Sequence, residues 1–346
     1  HVGGRPANLA VAHDPKLRTA VELHSDWGTF EWMLHDSFRL GHRVGVVCNS
    51  DGHKGRPGAS YPGAASFGAL GGLTCFRTAS LDRASLFDAM RRRSHYGTTG
   101  SRLHLDVRMA FDEPAEIFHL DPGTGAGPHD TRNLAEMGEI ARCAAEMATV
   151  SIGVSAGSPI LAIDLFTASQ IAATFRSYDH GDLGNRLRIL CNGAEYRGRG
   201  RQTLWKGAVT FSDAAAKNIA PINWWNPERP LLHEKPGAIR FEAVTTGNFC
   251  GFDVALDRLE GAIHVATNMV EGTIDLTDLG IEPRILDAGG LERAVSVQRL
   301  PDHLETTEMT VSYRVRLHDD GDTPVWVRVR TEDGHVAWSS PIYVIR

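Results

Sequence analysis

The stretch that decides the fold runs WMLHDSFRLGHRVGVVCNSDG, from Trp32 to Gly52. Its second half, Arg43 to Cys48, is a compact β-branched run that stops at Asn49-Ser50-Asp51-Gly52, the turn chemistry of a buried strand reaching a loop. The first half sets Met33, Leu34, Ser37, Phe38 and Leu40 on a short helical pattern closed by Gly41. Thr19 to Val21 just before it reads as another strand, so the order is strand, helix, strand. Leu81 to Arg93 predicts a second helix, with Leu86, Phe87 and Met90 on one face and Ser80 as N-cap. Arg91, Arg92 and Arg93 would be its solvated last turn, complementing the helix dipole. Residues 1–110 are therefore expected to form α/β layers.

Further along, Asp112 to Asp130 is rich in Gly and Pro and reads as loop. Asp130 to Met147 fits a helix with Leu134, Met137, Ala141, Ala144 and Met147 inward, making 111–149 a linker and helix. From about residue 150 the period changes to two, clearest in Val311, Tyr313, Val315 and Leu317 and in Val325, Val327 and Val329. These runs and Trp338 to Ile345 predict a three-stranded meander, and Arg186 to Tyr196 a hairpin with Asn192-Gly193 at its tip. The expectation for 150–346 is a β-rich region whose buried face, led by Trp326 and Trp338, covers the α/β part.

Composition narrows the function classes. The chain has 346 residues, 36 Lys plus Arg, 42 Asp plus Glu and a net charge of -6. No basic run exceeds Arg91-Arg92-Arg93, so neither a nucleic-acid footprint nor an anionic-membrane footprint is present, and a small-molecule partner is expected. With 42% apolar and 23% charged residues the chain can bury sizeable cores. Cys48, Cys75, Cys143, Cys191 and Cys250 are odd in number and never form CxxC, which predicts buried thiols. The most apolar run, Val150 to Phe166, is broken by Gly153, Gly157, Pro159 and Asp164 and is too polar to span a bilayer. No N-terminal signal pattern is visible, which favours the cytoplasm. A chain that begins with His1 rather than Met is expected to continue upstream.

Histidine carries the chemical signal, because six of the sixteen fall within the first 53 positions. Asp51-Gly52-His53 puts a carboxylate and an imidazole two apart on a loop at a strand's C-terminal end, where α/β proteins place their sites. Glu22-Leu23-His24 repeats the arrangement. Oxygen and imidazole ligands together suit divalent Zn, Mn or Fe; equally, each pair alone fits a polar turn with a satisfied His. Glu31, past the Gly28 turn, could serve as a general base or as a dipole-satisfying first-turn residue. Lys54, Arg56 and Arg77 could hold a phosphate or be solvated loop cations. Thr98-Thr99-Gly100 could present donors to an anion or simply turn the chain, and Trp224-Trp225 could stack on a sugar or belong to a core.

Four blocks, VELHSDWGTFEW (Val21 to Trp32), VGVVCNSDGHKGRPG (Val44 to Gly58), LFDAMRRRSHYGTTG (Leu86 to Gly100) and VWVRVRTEDGHVAWSSPIYV (Val325 to Val344), resemble a branch of the PHP superfamily, named for polymerase and histidinol phosphatase. The resemblance implies a distorted β/α barrel, here partial, with a β-rich C-terminal region. It also implies a metal-dependent phosphoesterase whose ligands would be His1, Glu22, Asp51 and His53, with one ligand either lost or replaced by His24 where relatives have His-Gly and this chain has Trp27-Gly28. Lys54 or Arg56 would orient a phosphoester substrate. The family opens on a His-x-His strand that does not precede His1, so that motif is expected upstream. The rival expectations are a non-catalytic binding protein, with a carbohydrate- or protein-binding β domain on an incomplete scaffold, and a metal-dependent hydrolase of C–N or other ester bonds.

Overall fold

The computed structural model describes residues 8–52, 55, 69–125, 129–198, 201–224, 228–235 and 238–346. It overturns the partial barrel: 52% of the chain is strand and 8% helix, in several sheets with no closed barrel. The physical reason is that, among the described residues, only one helix links a parallel strand pair. After β1 (Ala20–Ser25), β2 (Gly28–Thr29), α1 (Trp32–Arg39) and β3 (Gly45–Cys48), strand pairing is antiparallel apart from one short parallel pair between residues 140–142 and 343–345. β1 and β3 are parallel, in a small sheet of order β2-β1-β3.

The next elements are β4 (Leu73–Phe76), α2 (Arg83–Arg91), β5 (His95–Thr98), β6 (His104–Phe118), β7 (His129–Glu136), β8 (Ile140–Arg142), β9 (Met147–Ser155), β10 (Ile160–Thr167) and β11 (Gln170–Phe175). The last four strands, β22 (Glu308–Arg316), β23 (Thr323–Thr331), β24 (Val336–Ser339) and β25 (Ile342–Ile345), return to the same sheet, whose order is β22-β9-β6-β8-β25-β23-β24-β5-β4 with β7, β10 and β11 branching from it. The sheet folds over one core. Leu105, Val107 and Met109 of β6 meet Val150 and Ile152 of β9, Ile163 and Leu165 of β10 and Val325, Val327 and Val329 of β23. Phe175 of β11 touches Tyr313 of β22 edge-on, although many strands separate them in the pairing order.

Between the two halves of this lobe lies a second one. Two five-stranded antiparallel sheets face each other as a sandwich. It comprises β12 (Arg186–Ala194), β13 (Thr203–Phe211), β14 (Ala216–Ile222), β15 (Leu231–Lys235), β16 (Ala238–Thr245), β17 (Phe249–Leu256), β18 (Ala262–Thr267), β19 (Glu271–Asp275), β20 (Arg284–Asp287) and β21 (Leu291–Leu300). One sheet is β14-β17-β12-β21-β20, the other β15-β16-β13-β18-β19. Trp205, Phe241, Phe252, Ile189, Val297 and Val265 fill the space between them, as the period-two alternation of each strand requires.

Several local expectations change. Asp130 to Met147 is β7 and β8 rather than a helix: Gly138 takes φ +88° mid-segment, where a Cβ would collide with the Arg93 carbonyl. Arg186 to Ala194 is one strand, not a hairpin, because Gly193 uses its φ of +81° to make a bulge against β21. β22 pairs with β9 and leaves the expected meander, while β23, β24 and β25 remain together. Residue 110 lies within β6 and residue 150 within β9. Asp82, not Ser80, caps α2 by accepting from the Ser85 amide at 2.9 Å. Arg93 is buried, not solvated; it donates to the carbonyls of Gly138 and His119. Of the cysteines, Cys75 is exposed and Cys143 half-exposed, while Cys48, Cys191 and Cys250 are buried.

The C-terminal strands do cover the α/β part. Trp326 and Trp338 pack with Leu23, Leu34, Val46 and Cys48, and Ser340 Oγ donates to the His95 carbonyl while receiving the Val46 amide at 2.9 Å. That approach depends on missing side chains: a Cβ on Gly97 would sit 2.9 Å from Cys48 Cβ and inside contact of its sulfur. Gly97→Ala is therefore expected to cost about 1–3 kcal/mol by overpacking. Gly153→Ala on β9, where an added Cβ meets nothing within 4 Å, should be neutral or stabilising by up to about 1 kcal/mol. Urea denaturation of the two variants checks the contrast.

Candidate functional site

Parallel pairing brings the C-terminal ends of β1 and β3 side by side, and backbone bonds lock the two following loops together. Asn49 donates to the His24 carbonyl at 3.0 Å, Asp26 to the Ser50 carbonyl at 3.1 Å, and Ala69 to the Asp26 carbonyl at 3.2 Å. The Glu22 carboxylate accepts from Asn49 Nδ2 at 2.9 Å. Asp51 holds φ at +46°, an uncommon conformation for a non-glycine residue, and Gly52 follows with its Cβ position 3.9 Å from Asp26 Oδ2. Asp26 and Asp51 thus follow neighbouring strand ends, while Glu22 lies within β1 and faces Asn49. His1, His53, Lys54 and Arg56, expected to join them, lie outside the described residues.

Asp26 was not singled out from the sequence, although it ends β1 much as Asp51 follows β3. Its carboxylate is buried. Among the described residues, no group of three His, Cys, Asp or Glu side chains is arranged to hold a metal ion. The described carboxylates supply hard oxygen donors, and a full ligand set needs donors beyond them.

His24 is turned away from this role. Its Nε2–H donates to the Leu70 carbonyl at 2.7 Å, so Nδ1 is the acceptor for the Thr29 hydroxyl at 2.9 Å. Burial pushes its pKa down to about 4, only partly opposed by the Leu70 carbonyl, and the ring is a neutral structural group at neutral pH. Glu31 likewise is an ion-pair partner. Burial alone would raise its pKa, but Arg328 foremost, with His35 and Trp338, holds it down at about 2. Its carboxylate receives Arg328 Nη1 at 2.9 Å and Trp338 Nε1 at 2.6 Å. So acidic a carboxyl has little affinity for a proton at neutral pH, which disfavours general-base work.

The loop after β1 also docks on the sandwich. Thr29 N–H donates to the Thr246 carbonyl at 3.1 Å, Thr246 Oγ1 donates to the Trp27 carbonyl at 2.8 Å, and buried Arg201 donates to the Thr29 carbonyl at 2.7 Å. Gly28, at φ +126°, has no room for a Cβ against the Thr246 carbonyl.

Beside this contact a cleft of about 520 Å³ opens between the lobes. One wall is His24, Thr29 and Glu31 with Arg328, Arg330 and Trp338; the other is the outer face of β12 and β21, including Arg188, Asn192, Ser296 and Gln298. Arg188 is forked on Asp253 at 2.7 and 2.9 Å, both groups being buried. Arg328 and Arg330 share Asp164 at 3.0 and 3.1 Å.

The other sequence candidates have ordinary partners. Arg77 pairs with Asp106 at 2.9 Å. Thr98 Oγ1 donates to the Ser101 carbonyl and Thr99 Oγ1 bonds His335, as a turn requires. Trp224 packs on the sandwich core, and Trp225 is outside the described residues. His13 and His42, which had no informative spacing, stack at 3.7 Å. Among the described residues no helix is long and apolar enough to cross a membrane.

Comparison of the chain with family models, with curated proteins and with solved structures finds no match.

The Glu31 and His24 environments give substitutions at both positions a pH signature. Glu31 has its pKa lowered from 4.5 to about 2 on folding, so its charge stabilises fully above pH 4.5 and the contribution is lost as pH falls toward 2. The melting-temperature gap between wild type and Glu31→Gln should narrow as pH drops from 5 to 3. His24 falls from 6.5 to about 4, so its neutral burial destabilises progressively as pH falls from 6.5 toward 4, and His24→Gln should flatten that limb. Thermal melts across these pH windows check both.

Proposed function

We propose that the chain is a metal-dependent hydrolase, acting on phosphoesters, with a divalent ion held where β1 and β3 end. The single observation that supports the reading is the position of Asp26 and Asp51 just past the C-terminal ends of a parallel strand pair, with the Gly52 Cβ position 3.9 Å from Asp26 Oδ2. Carboxylates at that place suit a hard cation, and the resemblance of the surrounding blocks to the PHP superfamily points the same way. Asp51, Asp26 and Glu22 would be the described ligands, with Asn49 orienting Glu22; His53 and His1 would complete the set, and Lys54 or Arg56 would meet the phosphoryl group.

When bound, such an ion supplies a water of near-neutral pKa and offsets charge on the phosphoryl oxygens. The chain's own residues do the positioning. The Asp26-to-Ser50 and Asn49-to-His24 backbone bonds hold both loops in register, and Arg201 and Thr246 brace the β1 loop against the sandwich.

The expected outcome is that protein stripped with EDTA and reloaded with Zn or Mn retains metal through desalting and hydrolyses p-nitrophenyl phosphate. Asp51→Asn and Asp26→Asn should each lower metal affinity by about tenfold or more. Elemental analysis and the colorimetric assay check this; undiminished retention in both variants, or no retained metal in the wild type, would sink the reading. A second reading, a binding protein, is favoured by the inter-lobe cleft.

A further inference from the structure

We infer that the inter-lobe cleft binds the uncharged, hydroxyl-rich body of a saccharide. Its volume of about 520 Å³ lies within the ~300–1,000 Å³ usual for small-ligand sites. The pattern of its polar groups then selects the ligand.

Four amide side chains line the cleft: Asn248 accepts the Thr246 amide through its oxygen at 2.8 Å, and the other three are anchored through their nitrogens. Asn192 Nδ2 donates to the Leu190 carbonyl and Ser296 Oγ at 3.0 Å, Asn223 Nδ2 to the Gly334 carbonyl at 3.1 Å, and Gln298 Nε2 to the Ile281 carbonyl at 2.6 Å. Among the described residues none of the three amide oxygens receives a hydrogen bond, so each is left as an acceptor. Donors stand close by: Arg188 is directly opposite Gln298 in the β12–β21 register, and Arg330 lines the facing wall with its side chain 30% exposed. A hydroxyl group both accepts from a guanidinium and donates to an amide oxygen, and an array of both kinds suits a ligand that carries many of them.

Charge argues against an anion. Arg188 is matched by Asp253, and Arg328 and Arg330 by Glu31 and Asp164. Asp287 and Glu292 stand against Arg293 among the residues of the lining. An anion would use the donors only and would face the amide oxygens and these carboxylates. A peptide added as an extra strand is also disfavoured. β12 lies between β17 and β21, and β21 between β12 and β20, so the backbone groups of this wall are already paired and side chains alone are presented. Phe249, half-exposed in the lining, and Leu190 offer carbon surface for the C–H face of a sugar ring.

The test is calorimetric titration of the full chain, in EDTA so that no metal chemistry contributes, with cellotriose, maltotriose, xylotriose and chitotriose, and with trigalacturonate as the anionic counterpart. At least one neutral trisaccharide should bind, more tightly than trigalacturonate. Its affinity should fall by at least about tenfold in Phe249→Ala and in Ser296→Glu, each variant first shown to melt as the wild type does. Binding of none of the neutral sugars, tighter binding of trigalacturonate, or affinity unchanged in both folded variants would overturn the inference. Because the titration needs no metal, its result is independent of the hydrolase reading.

Discussion

The structure depends on one arginine whose charge is met from two directions. Arg328 of β23 bonds Glu31, at the start of α1, and Asp164 of β10, and its guanidinium lies 5.0 Å from the Phe166 ring centroid. Phe166 in turn stacks on Trp326 at 3.9 Å, and Trp338 reaches the same Glu31 carboxylate. The small sheet with its helix, the large sheet and the cleft wall are therefore joined through one ionic centre with an aromatic floor. Such a centre gains little over an apolar core in net stability, yet losing one partner leaves a buried charge uncompensated, commonly at about 3–5 kcal/mol. Its value is geometric: it fixes where α1 and the end of β1 stand relative to the large sheet.

Where the determinant is local, the sequence was readable. The β-branched run into Asn49-Ser50-Asp51-Gly52 ends β3 as expected, and Gly41 closes α1 at φ +71°. Where it is non-local, reading failed. Leu134, Met137 and Ala141 have helical spacing, but Gly138 must turn there against the Arg93 backbone, and two short strands on β6 result. The barrel expectation rested on the resemblance of four sequence blocks, whereas period-two burial of Leu105, Val107, Met109 and Phe111 signals an antiparallel ladder from β6 onward.

The site divides in the same way. Glu22 and Asp51 stand out because they follow or belong to strands with clear endings, and Asp26 has the same strand-end position without a neighbouring motif to mark it. The cleft was invisible, since Arg188, Gln298, Arg328 and His24 are brought together only by docking of the sandwich. That docking passes through Gly28, in the loop that also carries Asp26, and through Thr246 and Arg201. Under the two proposals, the saccharide wall and the cation-holding strand ends would be neighbouring surfaces.

The central claim is that the ends of β1 and β3 form a cation site, and anomalous diffraction tests it most directly. A crystal soaked in zinc, with data collected on both sides of the zinc absorption edge, should give a peak roughly 2.0–2.2 Å from carboxylate oxygens of Asp51 and Asp26. A zinc peak only elsewhere, with Asp26 and Asp51 well ordered and bonded to protein donors alone, would contradict it.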